Sequence, residues 1–180
     1  MNIQRFKLII SSLIILVVFQ GASAQNTEKK QQILSDSKAA KASFLKEDAG
    51  MSRFFDGAYG YVIFPNVGKG GLGVGGAGGN GVAYEQGAKV GFAKLSQVTI
   101  GFQAGGQSYR EVVFFETAKE MQRFKDNKIE FSAQVSAVAA AAGVSADAKY
   151  VEGVAVFTMA KGGLMYEASV GGQKFKFNKE

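Results

Sequence analysis

The residues that fall at the spacing of a known chemistry are glycines. Gly71-Leu72-Gly73-Val74-Gly75-Gly76 fits G-x-G-x-x-G, the expression of a dinucleotide-binding turn, and shifted copies begin at Gly73 and Gly76. That chemistry needs a helix directly after the glycines, because the helix N-terminus holds the pyrophosphate. Here Val82-Ala83-Tyr84 and then Glu85-Gln86-Gly87 follow, which read as strand and turn. No Gly-Lys-Ser/Thr ending supplies a phosphate-binding loop either. Nine of the fourteen residues from Gly68 to Gly81 are glycine, so a match is close to unavoidable at this density. No nucleotide partner is expected.

Other chemistry is limited by what the chain lacks. It has no histidine and no cysteine, which removes the usual general base at neutral pH, the common nucleophilic pairs and most transition-metal sites. The fifteen acids are scattered, and Glu47-Asp48, the one adjacent pair, falls at the expected end of a helix, where acids are solvated. No carboxylate pair nominates itself for glycoside hydrolysis. The expectation is a protein that is not an enzyme and that needs neither cofactor nor metal.

The elements that would position any site begin with a leader. Arg5 and Lys7 precede an apolar run, Leu8 to Phe19, and Ala22-Ser23-Ala24 follows, the order of a secretory signal peptide cleaved after Ala24. The run of twelve residues is short for a membrane span, which needs about twenty. Export would leave residues 25–180 as one domain, in the periplasm or secreted, possessing no cysteine for a lipid anchor or a disulfide. Removing Arg5 and Lys7 lowers the net charge from +6 to +4. That is a mild bias, without the clustered cations of a nucleic-acid binder. An anionic membrane surface or an acidic cell-wall polymer suits it better.

From Thr27 to Asp48 the period is helical, with Ile33, Ser37, Ala40 and Phe44 on one line and lysines around it. Two readings stand for this helix: docking on the core, or an amphipathic element lying on lipid. After Met51 the period becomes two. Ala88–Lys94 and Gln97–Phe102 alternate, and Arg110–Glu116 is dense enough for a strand buried on both faces. Val154–Met159, Leu164–Val170 and Gln173–Phe177, separated by Gly162-Gly163 and Gly171-Gly172, read as an antiparallel meander. Thr117-Ala118-Lys119-Glu120 has capping-box spacing for one short internal helix. Residues 132–148 fit helix or strand, with strand preferred. The glycine run holds Leu72, Val74 and Val82 but no serine, so a bent, glycine-faced strand is preferred to a flexible linker. The expected fold is α+β: a single domain with a mostly antiparallel, strongly curved glycine-rich sheet or partial barrel over 59–178, an N-terminal amphipathic helix over 27–48 and a short internal helix.

Several blocks, in order, resemble the SYLF domain. Tyr59-Gly60-Tyr61-Val62-Ile63 and Phe64-Pro65-Asn66-Val67-Gly68-Lys69-Gly70-Gly71-Leu72-Gly73-Val74-Gly75-Gly76 are similar to its opening. Gly101-Phe102-Gln103-Ala104-Gly105-Gly106-Gln107 resembles its Gly-x-Gln-x-Gly segment. Met159-Ala160-Lys161-Gly162-Gly163 resembles its Ser-Lys-Gly block, with Ala160 in place of the serine, and the usual tryptophan between the first two blocks is absent. The resemblance spans roughly residues 30–178. It implies binding to phosphoinositides and related anionic lipids, with actin as a partner of some eukaryotic members, and export for most bacterial members. Lys69 and Lys161 match the lysines of the blocks, beside glycines whose backbone N–H groups could join an ammonium around a phosphate. With Lys38, Lys41, Phe44, Leu45 and Arg53 they make up the lipid-binding residues expected. The alternative function is an envelope module that binds protein rather than a specific lipid.

Overall fold

The computed structural model describes the backbone of residues 3–72, 74–100, 106–131, 136–161 and 170–179, and side chains over 25–71, 75–98, 107–131, 136–161 and 170–179. A long helix, α1 (Ile3–Glu47), leads through a 3₁₀ turn (Ala49–Met51) to a short α2 (Ser52–Gly57). Asp48 stops α1 by turning to extended geometry, φ −141° and ψ 102°. Its carboxylate then accepts from the Gly50 N–H at 2.9 Å and, far along the chain, from the Ser145 N–H at 2.8 Å. Strands β1 (Gly60–Leu72), β2 (Val74–Glu85), β3 (Ala88–Ile100) and β4 (Gly106–Phe115) follow, then α3 (Ala118–Lys125), β5 (Ala137–Ala139), β6 (Val154–Ala160) and β7 (Lys174–Lys179). They form one open sheet in the order β5-β6-β4-β1-β2-β3-β7, antiparallel except for β5 against β6.

The sheet buries both faces. On one, Val62, Phe64, Val113, Phe115 and Phe175 pack with Met121 and Phe124 of α3. On the other, Tyr61, Ile63, Val112, Phe114 and Phe157 pack with Phe44 of α1 and Phe54 and Phe55 of α2. Residues 111–115 of β4 are accordingly all buried, the two-sided strand that Arg110–Glu116 predicts. One of them is Glu111, whose carboxyl burial pushes up to about 8. The internal helix forms where Thr117 predicts it: the hydroxyl accepts from the Lys119 N–H at 3.2 Å and donates to the Glu120 carboxylate.

Three expectations change. The glycine run is not one bent strand but a hairpin, shared between β1 and β2 with Gly68 opposite Gly78 and Gly70 opposite Gly76. The close approach that demands glycine lies within this pair, where β1 shifts register between Ile63 and Asn66. A Cβ at Gly79 would stand 2.7 Å from the Asn66 carbonyl oxygen, and one at Gly81 2.5 Å from that of Ile63. The C-terminal strands do not lie side by side: β6 pairs with β4 and β7 with β3, on opposite flanks of the hairpin. Leu164–Ser169 of the expected middle strand lie outside the described residues, as do Gly162-Gly163 and Gly101–Gly105. Within 132–148 the strand shrinks to Ala137–Ala139 and is followed by a 3₁₀ turn, Val144–Asp147, while Ala133 and Val135 fall outside the described residues.

Candidate anion-binding face

The seven residues expected to touch lipid are dispersed. Phe44 is fully buried beneath α1, so its place is the core and not the bilayer. Leu45 is half-buried against the same cluster. Lys41 lies 3.2 Å from the Tyr61 hydroxyl and 4.6 Å from the centre of the Phe55 ring, where it fastens α1 to the sheet. Arg53 spans to the carbonyl oxygens of Ser145 and Ala148 while stacking over Phe54 at 4.8 Å, so its guanidinium holds the 145–148 turn. Lys69 pairs across strands with Ala77 and Gln107, on the face that carries α3. Lys161 is on the other face, where its ammonium donates to Asn66 Oδ1, whose amide reaches Asp36 of α1 at 3.5 Å. The two lysines of the glycine blocks therefore do not meet. Lys38 is exposed on α1.

The geometry brings other lysines together. Lys94 of β3 and Lys176 of β7 are direct cross-strand partners, as are Asn80 and Lys94, and Phe92 and Asn178. The stretch of α1 from Asn26 to Ile33 crosses above them. A cleft of about 370 Å³ results, lined by Asn26, Lys29, Lys30 and Ile33 of α1 and by Asn80, Phe92, Lys94, Asn178 and Lys179 of the sheet. Lys30 and Lys89 both approach the Phe92 ring, at 5.4 and 5.3 Å from its centre. Cations over an aromatic face are attracted to its electron-rich side, so Phe92 steadies charges that would otherwise repel. Asn26, Asn80 and Asn178 add amide donors that a bound anion can use.

Charge sign separates this cleft from two larger ones. A cleft of about 600 Å³ holds Arg53 and Lys149 with Glu116, and one of about 630 Å³ holds Lys125 and Lys179 with Glu85 and Asp126. Lys125 already bonds both Glu85 carboxylate oxygens, at 3.0 and 3.1 Å. Among the described residues, the α1 cleft has lysines and no carboxylate in its lining. Like charges placed directly opposite in a sheet are destabilising, so the Lys94–Lys176 pair works against folding and for attraction of an anion. Sequence reasoning noted Lys29 and Lys30 only as the polar surround of a helix, and missed Lys94, Lys176 and Lys179. The alternation of Lys174 and Lys176 with Phe175 and Phe177 does place both lysines on one face. It leaves open that β3 is the neighbouring strand.

Comparison with known proteins bears on the C-terminal half most directly. Residues 96–180 match the family model of Ysc84, described as Las17-binding protein actin regulator. The chain is also 28% identical over 159 residues to beta cell expansion factor A of Aeromonas veronii, an alignment that covers 86% of this chain and 60% of that protein. This chain thus spans about three-fifths of the length of that relative. The family match takes in the end of β3, β4, α3, β6 with Lys161, and β7 with Lys176 and Lys179. Residues 96–180 thus match the Ysc84 family model, the SYLF domain that the chain's glycine and lysine blocks resemble.

Proposed function

We propose that this protein is a non-enzymatic, exported domain that binds anionic phospholipid headgroups at a membrane surface, with residues 1–24 removed as a signal peptide. One observation carries the reading: Lys94 and Lys176 stand opposite each other beside a cleft lined by Lys29, Lys30 and Lys179 and, among the described residues, by no carboxylate. A lysine near an anionic surface contributes about 1 kcal/mol, so a handful on one face suffices for reversible attachment. The match of residues 96–180 to the SYLF family supports a lipid-binding or actin-regulator-like domain in general terms. Co-sedimentation with vesicles tests the reading. Binding to phosphatidylglycerol-containing vesicles at low salt, and none to neutral phosphatidylcholine vesicles, is expected; equal recovery with both sinks it.

A second reading rests on the family's description as Las17-binding, which names a protein partner. The exposed backbone of Gly68 and Gly78, bare of side chains beside the lysine face, gives such a partner a flat surface. Under that reading a single protein is recovered in fixed ratio from an envelope extract, and recovery is unaffected by added anionic vesicles.

A further inference from the structure

Phe44 belongs to the core, so an apolar hold on a bilayer has to come from elsewhere, and one end of the sheet is built for it. Along β3 exposure alternates: Ala93, Leu95 and Gln97 are buried, while Lys94, Ser96 and Val98 are exposed. Those three share the face that α1 crosses, together with Lys176, the cross-strand partner of Lys94. Val98 is 75% exposed, the most exposed large hydrophobic among the described residues. A lone surface valine needs no explanation, but this one has aliphatic company in register. Leu72 of β1, Val74 of β2 and Ile100 of β3 form one cross-strand row, and Ile100 follows Val98 at the two-residue spacing of a shared face. From Gly70 to Tyr84 and from Leu95 to Ile100 the sequence carries no charged residue. Between the lysines and this end run Ser96, Gly78, Gly68 and Ser108, exposed cross-strand partners with little or no side chain.

We propose that this end of the sheet, led by Val98, enters the acyl boundary of an anionic bilayer while Lys94 and Lys176 meet its phosphates, a role that rests on the headgroup binding proposed above. From Lys94 to Val98 a strand runs about 13 Å, and a headgroup layer is about 5–7 Å deep. A β3 inclined to the membrane therefore sets its ammonium group among the phosphates as Val98 reaches the hydrocarbon. The serine and glycine row puts no bulk in the way. Four aliphatic residues fall short of the roughly 800 Å² a side that a stable protein interface buries. They suffice on lipid, where modest apolar burial adds to an electrostatic attraction already present. The lysines on the same face also repel a second copy of the chain and draw anionic lipid.

The chain has no tryptophan, so Val98→Trp gives a single reporter at the end of the sheet that enters. Val151→Trp is its control. Val151 is 43% exposed and bridges Val154, whose row runs through Phe115 to Gly60, the opposite end of β1 from Leu72. With phosphatidylglycerol-containing vesicles at low salt, emission of the Val98→Trp protein should shift to the blue and be quenched by brominated acyl chains. Emission of the Val151→Trp protein should do neither. Val98→Thr, uncharged and near-isosteric, should weaken the partition coefficient by about threefold to tenfold with every lysine in place. Binding of the Val98→Trp protein without blue shift or quenching overturns insertion and leaves the headgroup reading standing, as does an unchanged partition coefficient for Val98→Thr. Equal quenching of the two reporters overturns the orientation. Failure of the parent protein to bind these vesicles removes the headgroup reading itself, and insertion with it.

Discussion

Replacing Lys94 and Lys176 by glutamine should move affinity and stability in opposite directions. The two ammonium groups project from directly opposed positions of β3 and β7 on an exposed face. Each is worth about 1 kcal/mol near an anionic surface, so the double variant loses about 2 kcal/mol of membrane affinity. At 1.4 kcal/mol per decade that is roughly a 30-fold weaker partition coefficient, and about fivefold for either single change. A like-charged cross-strand pair costs about 0.2–1 kcal/mol in the folded state. Removing it therefore leaves Tm unchanged or raises it by up to about 4 °C. Sedimentation with vesicles containing phosphatidylglycerol, at low and at physiological salt, gives the affinity; a thermal melt without lipid gives the stability. Loss of binding below about threefold in the double variant at low salt would refute the reasoning, because screening is weakest there. A fall in Tm alongside weaker binding would refute it differently, by making the lysines structural.

Other consequences are open to simpler tests. Phe44→Ala should cost about 3–5 kcal/mol in urea unfolding, because the ring is fully buried between α1 and the sheet; a cost under about 1 kcal/mol would mean that α1 does not dock. Gly91→Ala should lower Tm sharply, since its Cβ would stand 2.4 Å from the Asn178 carbonyl oxygen and 2.8 Å from the Phe177 ring. Gly68→Thr should leave Tm unchanged or higher, as no atom lies within 4 Å of a Cβ there and strands favour β-branched residues. Glu111 makes stability fall with pH. Its carboxyl moves from 4.5 in the open chain to about 8 when folded, so the folded state holds the extra proton and its contribution is complete below 4.5 and lost as pH rises to 8. The slope is about 1.4 kcal/mol per pH unit between those limits, and roughly 5 kcal/mol in all. Melts in choline buffer from pH 4.5 to 8.5 should show that slope in the parent and a flatter profile in Glu111→Gln.

Much of the fold could be read locally, and most of the site could not. The helix through Phe44, the two-sided β4 and the Thr117 cap follow from periodicity and from one hydroxyl, signals contained within a few residues. The glycine run misleads because local phasing cannot distinguish one bent strand from two that meet at their glycines. Only the contacts of Gly79 and Gly81 with β1 show where the close approach lies. Placing the C-terminal strands fails for a related reason: Gly171-Gly172 does form a turn, but the partner of β7 is β3, far back in the chain. The site inherits that difficulty. Lys30, Lys94, Lys176 and Lys179 come from three elements, and nothing local to any of them encodes the register that gathers them. Lys69 and Lys161 stand out because they sit beside glycines, yet Lys161 bonds Asn66, and alternation along β1 places Lys69, three residues on, on the opposite face.

The pairing of β7 with β3 also sets when the core on the α3 face can close. Phe175 lies with ring centres 4.9 Å from Phe131 and 5.8 Å from Phe64, and so closes the core on the α3 face. Its strand occupies residues 174–179, and its partners are residues 91–96 of β3, well back along the chain. Contacts so distant in sequence form slowly, since the loop between them must be ordered before they repay it. A chain threaded N-terminus first from a ribosome therefore keeps Phe64, Phe124 and Phe131 uncovered until residues 174–179 arrive. Under the export proposed above, that delay would guard against folding before the membrane is crossed.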